Sequence, residues 1–233
     1  MIKNALLVHF FLKGMILLNL EVLYEDNHVI VCYKPAGILS QADNTGDMDM
    51  LTLVKDYIKK RYNKEGNVFV GLVHRLDRMT SGVMVFAKTS KGAMRLSNDI
   101  ASGNFFKEYL AVCEGSIDNP EEVTLVDYLE KNEKLNKSFI SKNGKESILT
   151  YQVIKTNNNK SLVKVKLKTG RHHQIRVQMS NIGHPLYGDI KYGSQHKDNL
   201  ALQAYKISFY QPVTRELLTF SKISYNGVFA IFK

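Results

Sequence analysis

The densest cluster of side chains able to do chemistry is Gly71-Leu-Val-His-Arg-Leu-Asp-Arg-Met-Thr-Ser-Gly82, packed between two apolar, strand-like runs. Asp77 stands in what reads as a turn at a sheet edge, with Arg75 and Arg78 beside it. Flanking guanidinium charge favours an ionised carboxylate. Such a group can act as nucleophile or base in a site that also attracts phosphates. On charge alone, a surface loop with a structural ion pair is the commoner use of this pattern. A second cluster, His172 and His173 with His184, raises metal binding. No cysteine or carboxylate joins these histidines at ligand spacing, so no metal is expected. The two cysteines, Cys32 and Cys113, lie in apolar runs and read as buried strand residues, and so few fit a reducing cytoplasm.

The elements that must position these residues follow from hydrophobic period and turn chemistry. Strands are predicted over 22–24 and 29–33, around Asp26-Asn27 and closed by the turn Lys34-Pro-Ala-Gly37. Leu51, Val54, Ile58 and Tyr62 have helical spacing over 51–62. A buried strand over 83–87 precedes a helix over 90–100 capped by Thr89 or Ser90, and another strand follows over 109–112. Strands over 147–155 and 162–168 flank a hairpin turn at Asn157-Asn-Asn-Lys160. In the second of them Val163, Val165 and Leu167 alternate with Lys164, Lys166 and Lys168, one face for a core and one for water. Ile175, Met179 and Ile182 predict a short helix over 172–181, stopped by Gly183 and Pro185. Strands over 200–209 and 217–220 complete the set. Strands outnumber helices and few strand–helix–strand units are visible, so the class is α+β, a mainly antiparallel mixed sheet flanked by helices.

The chain has 233 residues and a formal net charge of +10 with a pI near 9.4, a surplus that suits a polyanionic partner, nucleic acid or an anionic membrane. Residues 5–20 are mostly apolar, but His9 and Lys13 interrupt them. A bilayer span needs ~20 predominantly apolar residues, and the segment lacks the amphipathic pattern of an interfacial anchor. No membrane association is therefore expected. Met15 directly precedes a strand-like run. Residues 1–14 are read as an upstream extension and 15–233 as one domain.

Several motifs in one order carry a family resemblance. His74-Arg-Leu-Asp-Arg78 with Thr80-Ser-Gly82 resembles the catalytic signature of RluA-type pseudouridine synthases. Lys107-Glu-Tyr-Leu-Ala111 is similar to the family's "KxYLA" strand. Thr169-Gly-Arg-His-His-Gln-Ile-Arg176, Gly183-His-Pro-Leu-Tyr-Gly-Asp189 and Lys191-Tyr-Gly193 resemble its "TGRxHQIR…GHPxxGDxxYG" block, and Val29 to Gly37 its opening "KPAG" strand. The similarity runs over 22–220, and coincidence across so many segments is improbable.

The resemblance implies isomerisation of uridine to pseudouridine in ribosomal or transfer RNA by a cytoplasmic, monomeric enzyme that uses no cofactor. It implies Asp77 as the catalytic aspartate, and Tyr109 as a ring that packs on the uracil and whose hydroxyl serves proton transfer. It implies Arg176 as the guanidinium paired with Asp77. Leu186 would floor the base pocket, and Arg75 and Arg78 would act at the displaced base or its phosphate. Arg171, His172 and the ladder Lys164, Lys166 and Lys168 would hold the RNA backbone, the ladder projecting on the side that borders the site. Two positions depart from the family's pattern: His172 stands for its threonine or serine, and Gln178 for its histidine. Both departures bear on substrate contacts. Nothing before Val22 has the length of the S4 RNA-binding domain of many relatives, so this domain is expected to recognise RNA alone. The rival from another class is a silent RNA-binding domain of the same fold, which predicts decay of the aspartate, tyrosine or arginine; all three remain.

Overall fold

A computed structural model describes residues 20–233, and the extension over 1–14 and the start at Met15 lie outside the described residues. In chain order it forms β1 (Glu21–Glu25), β2 (Val29–Lys34), α1 (Met50–Arg61), β3 (Gly71–Leu72), β4 (Ser81–Ala87), α2 (Ser90–Ala101), β5 (Phe105–Glu114) and β6 (Val123–Asn132). There follow β7 (Lys137–Ile140), β8 (Lys145–Asn157), β9 (Lys160–Leu167), α3 (Gln174–Asn181), β10 (Leu202–Tyr210) and β11 (Leu217–Ser221), with 3₁₀ turns at Ile190–Tyr192 and Gly227–Phe232. The class is α+β with a mainly antiparallel sheet, as the sequence predicts. The chain divides into two compact units: one runs to Phe105 and includes Ser208–Phe220, the other comprises Phe106–Ile207 and Ser221–Lys233.

In the first unit β1 pairs with β2 and β2 with β4, while β3 adds to β4. β2 is central, which explains its continuous apolar run: Val29, Ile30, Val31 and Cys32 are all fully buried. The turn before it is built by Asp26, whose carboxylate accepts the N–H groups of His28 and Val29 at 2.7 Å each. Helix α1 is capped by Asp49, which accepts Thr52 N–H at 3.0 Å, and its predicted last residue Tyr62 is the C-cap. Thr89, rather than Ser90, caps α2 by accepting Gly92 N–H at 3.0 Å.

The second unit orders its strands β5-β9-β8-β6-β7, each pair antiparallel. The turn from β8 to β9 has Asn158 and Asn159 at φ 49° and 52°. That left-handed pair matches the twist of a two-residue hairpin, and asparagine tolerates it better than most residues. Cross-strand register puts Tyr109 of β5 beside Val165 of β9, and Val165 beside Tyr151 of β8. Side chains alternate along a strand, so these three share one face. Ser147 and its partner Asp127 lie on it too. Helix α3 covers this face, since Gln178 donates to Asp127 at 2.8 Å and to the Ser147 carbonyl at 3.2 Å. The helix starts later than the spacing predicts, because His173 is left-handed at φ 55°. Strands β6 and β7 have no counterpart in the sequence reading. Val126, Tyr128, Phe139 and Ile140 remain exposed there, so the inside/outside alternation that marks a strand is blurred.

Candidate functional site

Asp77 lies in the loop between β3 and β4, half-buried, with exposed Arg75 and Arg78 near it and buried Leu76 before it. The loop is pinned on both sides of the aspartate. On one side Ser40 clamps Leu76, donating to its carbonyl at 2.7 Å and accepting its N–H at 3.0 Å. On the other, fully buried Lys34 donates to the carbonyls of Arg78 at 2.9 Å, Thr80 at 2.8 Å and its neighbour Pro35 at 3.0 Å. Three acceptors match the three protons of an ammonium, a count a neutral amine does not meet. Burial pulls this ammonium down to about 7, the Asp77 charge holds it up, and Arg78 pushes it down. Burial and bonding thus pull opposite ways, and the three carbonyls favour the charged form. Lys34, which the sequence reading placed in a turn and gave no role, is thus one cation coupled to Asp77.

The arginines beside Asp77 behave differently from one another. Arg78 reaches Asp47 at 2.7 Å and the Gly37 carbonyl at 3.1 Å, so its guanidinium holds the 37–47 loop, a structural use that competes with the substrate contact expected of it. Arg75 stays exposed. His74 accepts Val85 N–H on Nε2 at 3.1 Å and packs at a tilt against the Phe105 ring, which makes it a strut for β4.

In the second unit the chemistry gathers at the start of α3. Arg176 grips Asp189 in a fork, Nε to Oδ2 and Nη2 to Oδ1, both at 2.7 Å. The pair is deeply set, with side-chain exposures of 12% for Arg176 and 1% for Asp189. The guanidinium also lies over the Tyr192 ring, 5.0 Å from its centroid. The carboxylate in this fork is Asp189, to which the sequence reading gave no role. Asp189 sits in the quoted Gly-Asp motif, and a buried arginine's need for an anion was the signal that could have found it. That motif also needs its glycine: Gly188 has φ 80°, and a Cβ there would lie 2.3 Å from the Asn199 carbonyl oxygen.

The adjacent histidines are held by protein groups. Tyr192 Oη accepts Ser138 N–H at 2.9 Å and lies 2.8 Å from His173 Nδ1. Burial drives the His173 pKa down to about 2, with Arg176 and His172 adding to the effect. A neutral ring that accepts on Nδ1 carries its proton on Nε2. His172 bonds Ser138 Oγ through Nδ1 at 2.8 Å and stacks on His173 at 3.7 Å between centroids. Among the described residues no group of three or more histidine, cysteine, aspartate or glutamate side chains is arranged to hold a metal.

Tyr109 is buried on the α3-covered face of the sheet. Leu186 is fully buried and bridges to Cys113 on β5, also on that face. Arg171 is exposed and anchored by Nε to the Glu146 carbonyl at 3.0 Å. Two expectations need correction. Lys164 and Lys166 pair with Leu110 and Glu108, neighbours of Tyr109 that point the opposite way, so they occupy the face away from Tyr109. Lys166 is there bonded to Glu122. Lys168 lies beyond the strand end and is exposed. Gln178 is fully buried against Asp127, so its departure from the family pattern alters packing under the sheet rather than a substrate contact.

A family profile described as RNA pseudouridylate synthase matches residues 28–181. An uncharacterized RNA pseudouridine synthase of Bacillus subtilis is 33% identical over 205 residues, covering 86% of this chain and 67% of the relative. Ribosomal large subunit pseudouridine synthase D of Zymomonas mobilis is 34% identical over 188 residues, covering 78% of this chain and 59% of the relative. The corresponding synthase C of Buchnera aphidicola is 32% identical over 226 residues, covering 91% and 68%. The chain thus spans between 59% and 68% of the length of these relatives. Among solved structures, human RNA pseudouridylate synthase domain containing 1 shares the fold, with a TM-score of 0.73 at 23% identity over 92% of this chain and 87% of that one. No helix among the described residues is long and apolar enough to cross a membrane. With its motifs and these likenesses together, the chain belongs to the RNA pseudouridylate synthase family, as an RluA-type member.

Proposed function

We propose that this chain isomerises uridine to pseudouridine within RNA, with Asp77 as the reacting carboxylate. The observation that carries the reading is the Asp77 loop, locked on one side by Ser40 and on the other by the buried Lys34 ammonium. A group held by its own scaffold loses little freedom when it meets a reacting atom. The reaction breaks the bond from ribose to uracil N1, turns the ring, and rejoins it through C5, with no change of oxidation state. The uridine first leaves its stack at a cost of a few kcal/mol, which contacts to the RNA backbone offset. Asp77 then acts at C1′, at the C2′ proton or at ring C6. Tyr109 is assigned to ring packing and proton transfer, and Arg176, oriented by Asp189, is the family's active-site cation.

The substrate is ribosomal or transfer RNA, and two of the relatives, named for the large ribosomal subunit, favour ribosomal RNA. The proposed setting is the cytoplasm and the proposed state a monomer. Pseudouridine mapping in cellular RNA with and without this gene is the direct test: loss of one or a few sites is expected, and an unchanged map refutes the assignment. Asp77→Asn should fold and bind RNA while forming no pseudouridine, because phosphate contacts carry affinity and this carboxylate carries the chemistry. Near-normal turnover by that variant would remove Asp77 from the role.

A further inference from the structure

Lys107 stands two residues before Tyr109 on β5 and projects from the same face of the strand. It is half-buried, and no carboxylate or hydroxyl is bonded to it among the described residues. Lysines withdrawn from water are rarely left without an anion. Burial is the one cause that acts on its titration, lowering its pKa with no opposing carboxylate. Its amine lies over Gly170, in the bend that joins β9 to α3. A Cβ at Gly170 would meet a single group within 4 Å, the Lys107 Nζ at 3.2 Å. No left-handed φ requires glycine at that position, so what the missing side chain provides is room at the amine. Lys168 and Arg171 flank the same bend, both exposed and neither bonded to a carboxylate among the described residues. By contrast Lys166, on the opposite face, is matched by Glu122.

We infer that Lys107, in the space left open above Gly170, holds a backbone phosphate of the RNA whose base is received at Tyr109. This inference rests on the RNA-modifying reading above and adds to it a specific anion site. The distance fits: two residues of strand span roughly 7 Å, the scale on which a nucleotide's phosphate and base are separated. The bend supplies cations without neutralising carboxylates, and the polyanion supplies the missing charge.

The test is a salt series with a short fluorescently labelled oligouridylate, applied to wild type, Lys107→Met and Gly170→Ala. One lost phosphate contact on a single strand lowers the slope of log affinity against log salt by about 0.7, or about fivefold in affinity per tenfold of salt. Lys107→Met should show that drop with a melting temperature equal to or above wild type, since it removes a poorly hydrated charge. Gly170→Ala should weaken binding in the same direction by crowding the amine while leaving Lys107 in place. A normal wild-type slope that is unchanged in Lys107→Met overturns the phosphate contact and leaves the RNA-modifying reading standing. A wild type with no salt-dependent binding overturns both. Loss of thermal stability in Lys107→Met shows a structural amine and also overturns the inference.

Discussion

Removal of the Arg176 guanidinium is expected to expose how much of the second unit depends on one ion pair. In Arg176→Met the methionine keeps most of the packing over the Tyr192 ring and deletes the two 2.7 Å bonds to Asp189. Asp189, with 1% of its side chain exposed, would then be a charge without a partner or water. Breaking a buried pair from one side costs about 3–5 kcal/mol. In a chain of this size that corresponds to a fall in Tm of roughly 6–20 °C, at about 2–4 °C for each kcal/mol. Neutralising the orphan should restore part of the loss, so Arg176→Met/Asp189→Asn is expected to be more stable than the single variant by about 1–3 kcal/mol, the coupling found for groups in contact. Urea unfolding and thermal melts of wild type, both single variants and the double complete the cycle. A single variant that loses under about 1 kcal/mol, or a double no better than the single, would mean that the fork is not what holds Asp189.

Tyr109→Phe keeps the ring and removes the hydroxyl, so single-turnover rate should fall more than RNA affinity; an unchanged rate shows that packing alone is the residue's part. Burial pulls the Lys34 pKa from its ordinary 10.5 down to about 7, while its three carbonyl acceptors favour the charged form. Between those limits the unfolded chain binds more protons than the folded one, so stability should rise with pH by at most about 1.4 kcal/mol per unit. Lys34→Met should lose that part of the pH dependence in urea titrations, and identical profiles for the two proteins refute it. Lys164→Gln/Lys166→Gln should change the salt slope of RNA binding by less than the ~0.7 of one phosphate; a drop near twice that places RNA on the face away from Tyr109.

Local chemistry made much of this protein legible from its residues. Asp26 and Asn158-Asn159 specify turns because their conformations depend on side chains one to three positions away. Thr89 and the apolar spacing of 51–62 specify helices for the same reason. The ordered motifs put forward Asp77, Tyr109 and Arg176 as the residues proposed for the site. What tertiary structure decided is the partnership of groups distant in sequence. Alternation along β9 shows that Lys164 and Lys166 share a face, and only the pairing with β5 shows that it is the face away from Tyr109. Lys34 reads as a turn residue until the carbonyls of Arg78 and Thr80, 44 and 46 residues further along the chain, close around it. Asp189 becomes a partner of Arg176 because the bend at Gly188, which no other residue could make against Asn199, returns the chain to α3. A charge's neighbours across a fold are set by strand register and loop closure, and a linear pattern carries neither.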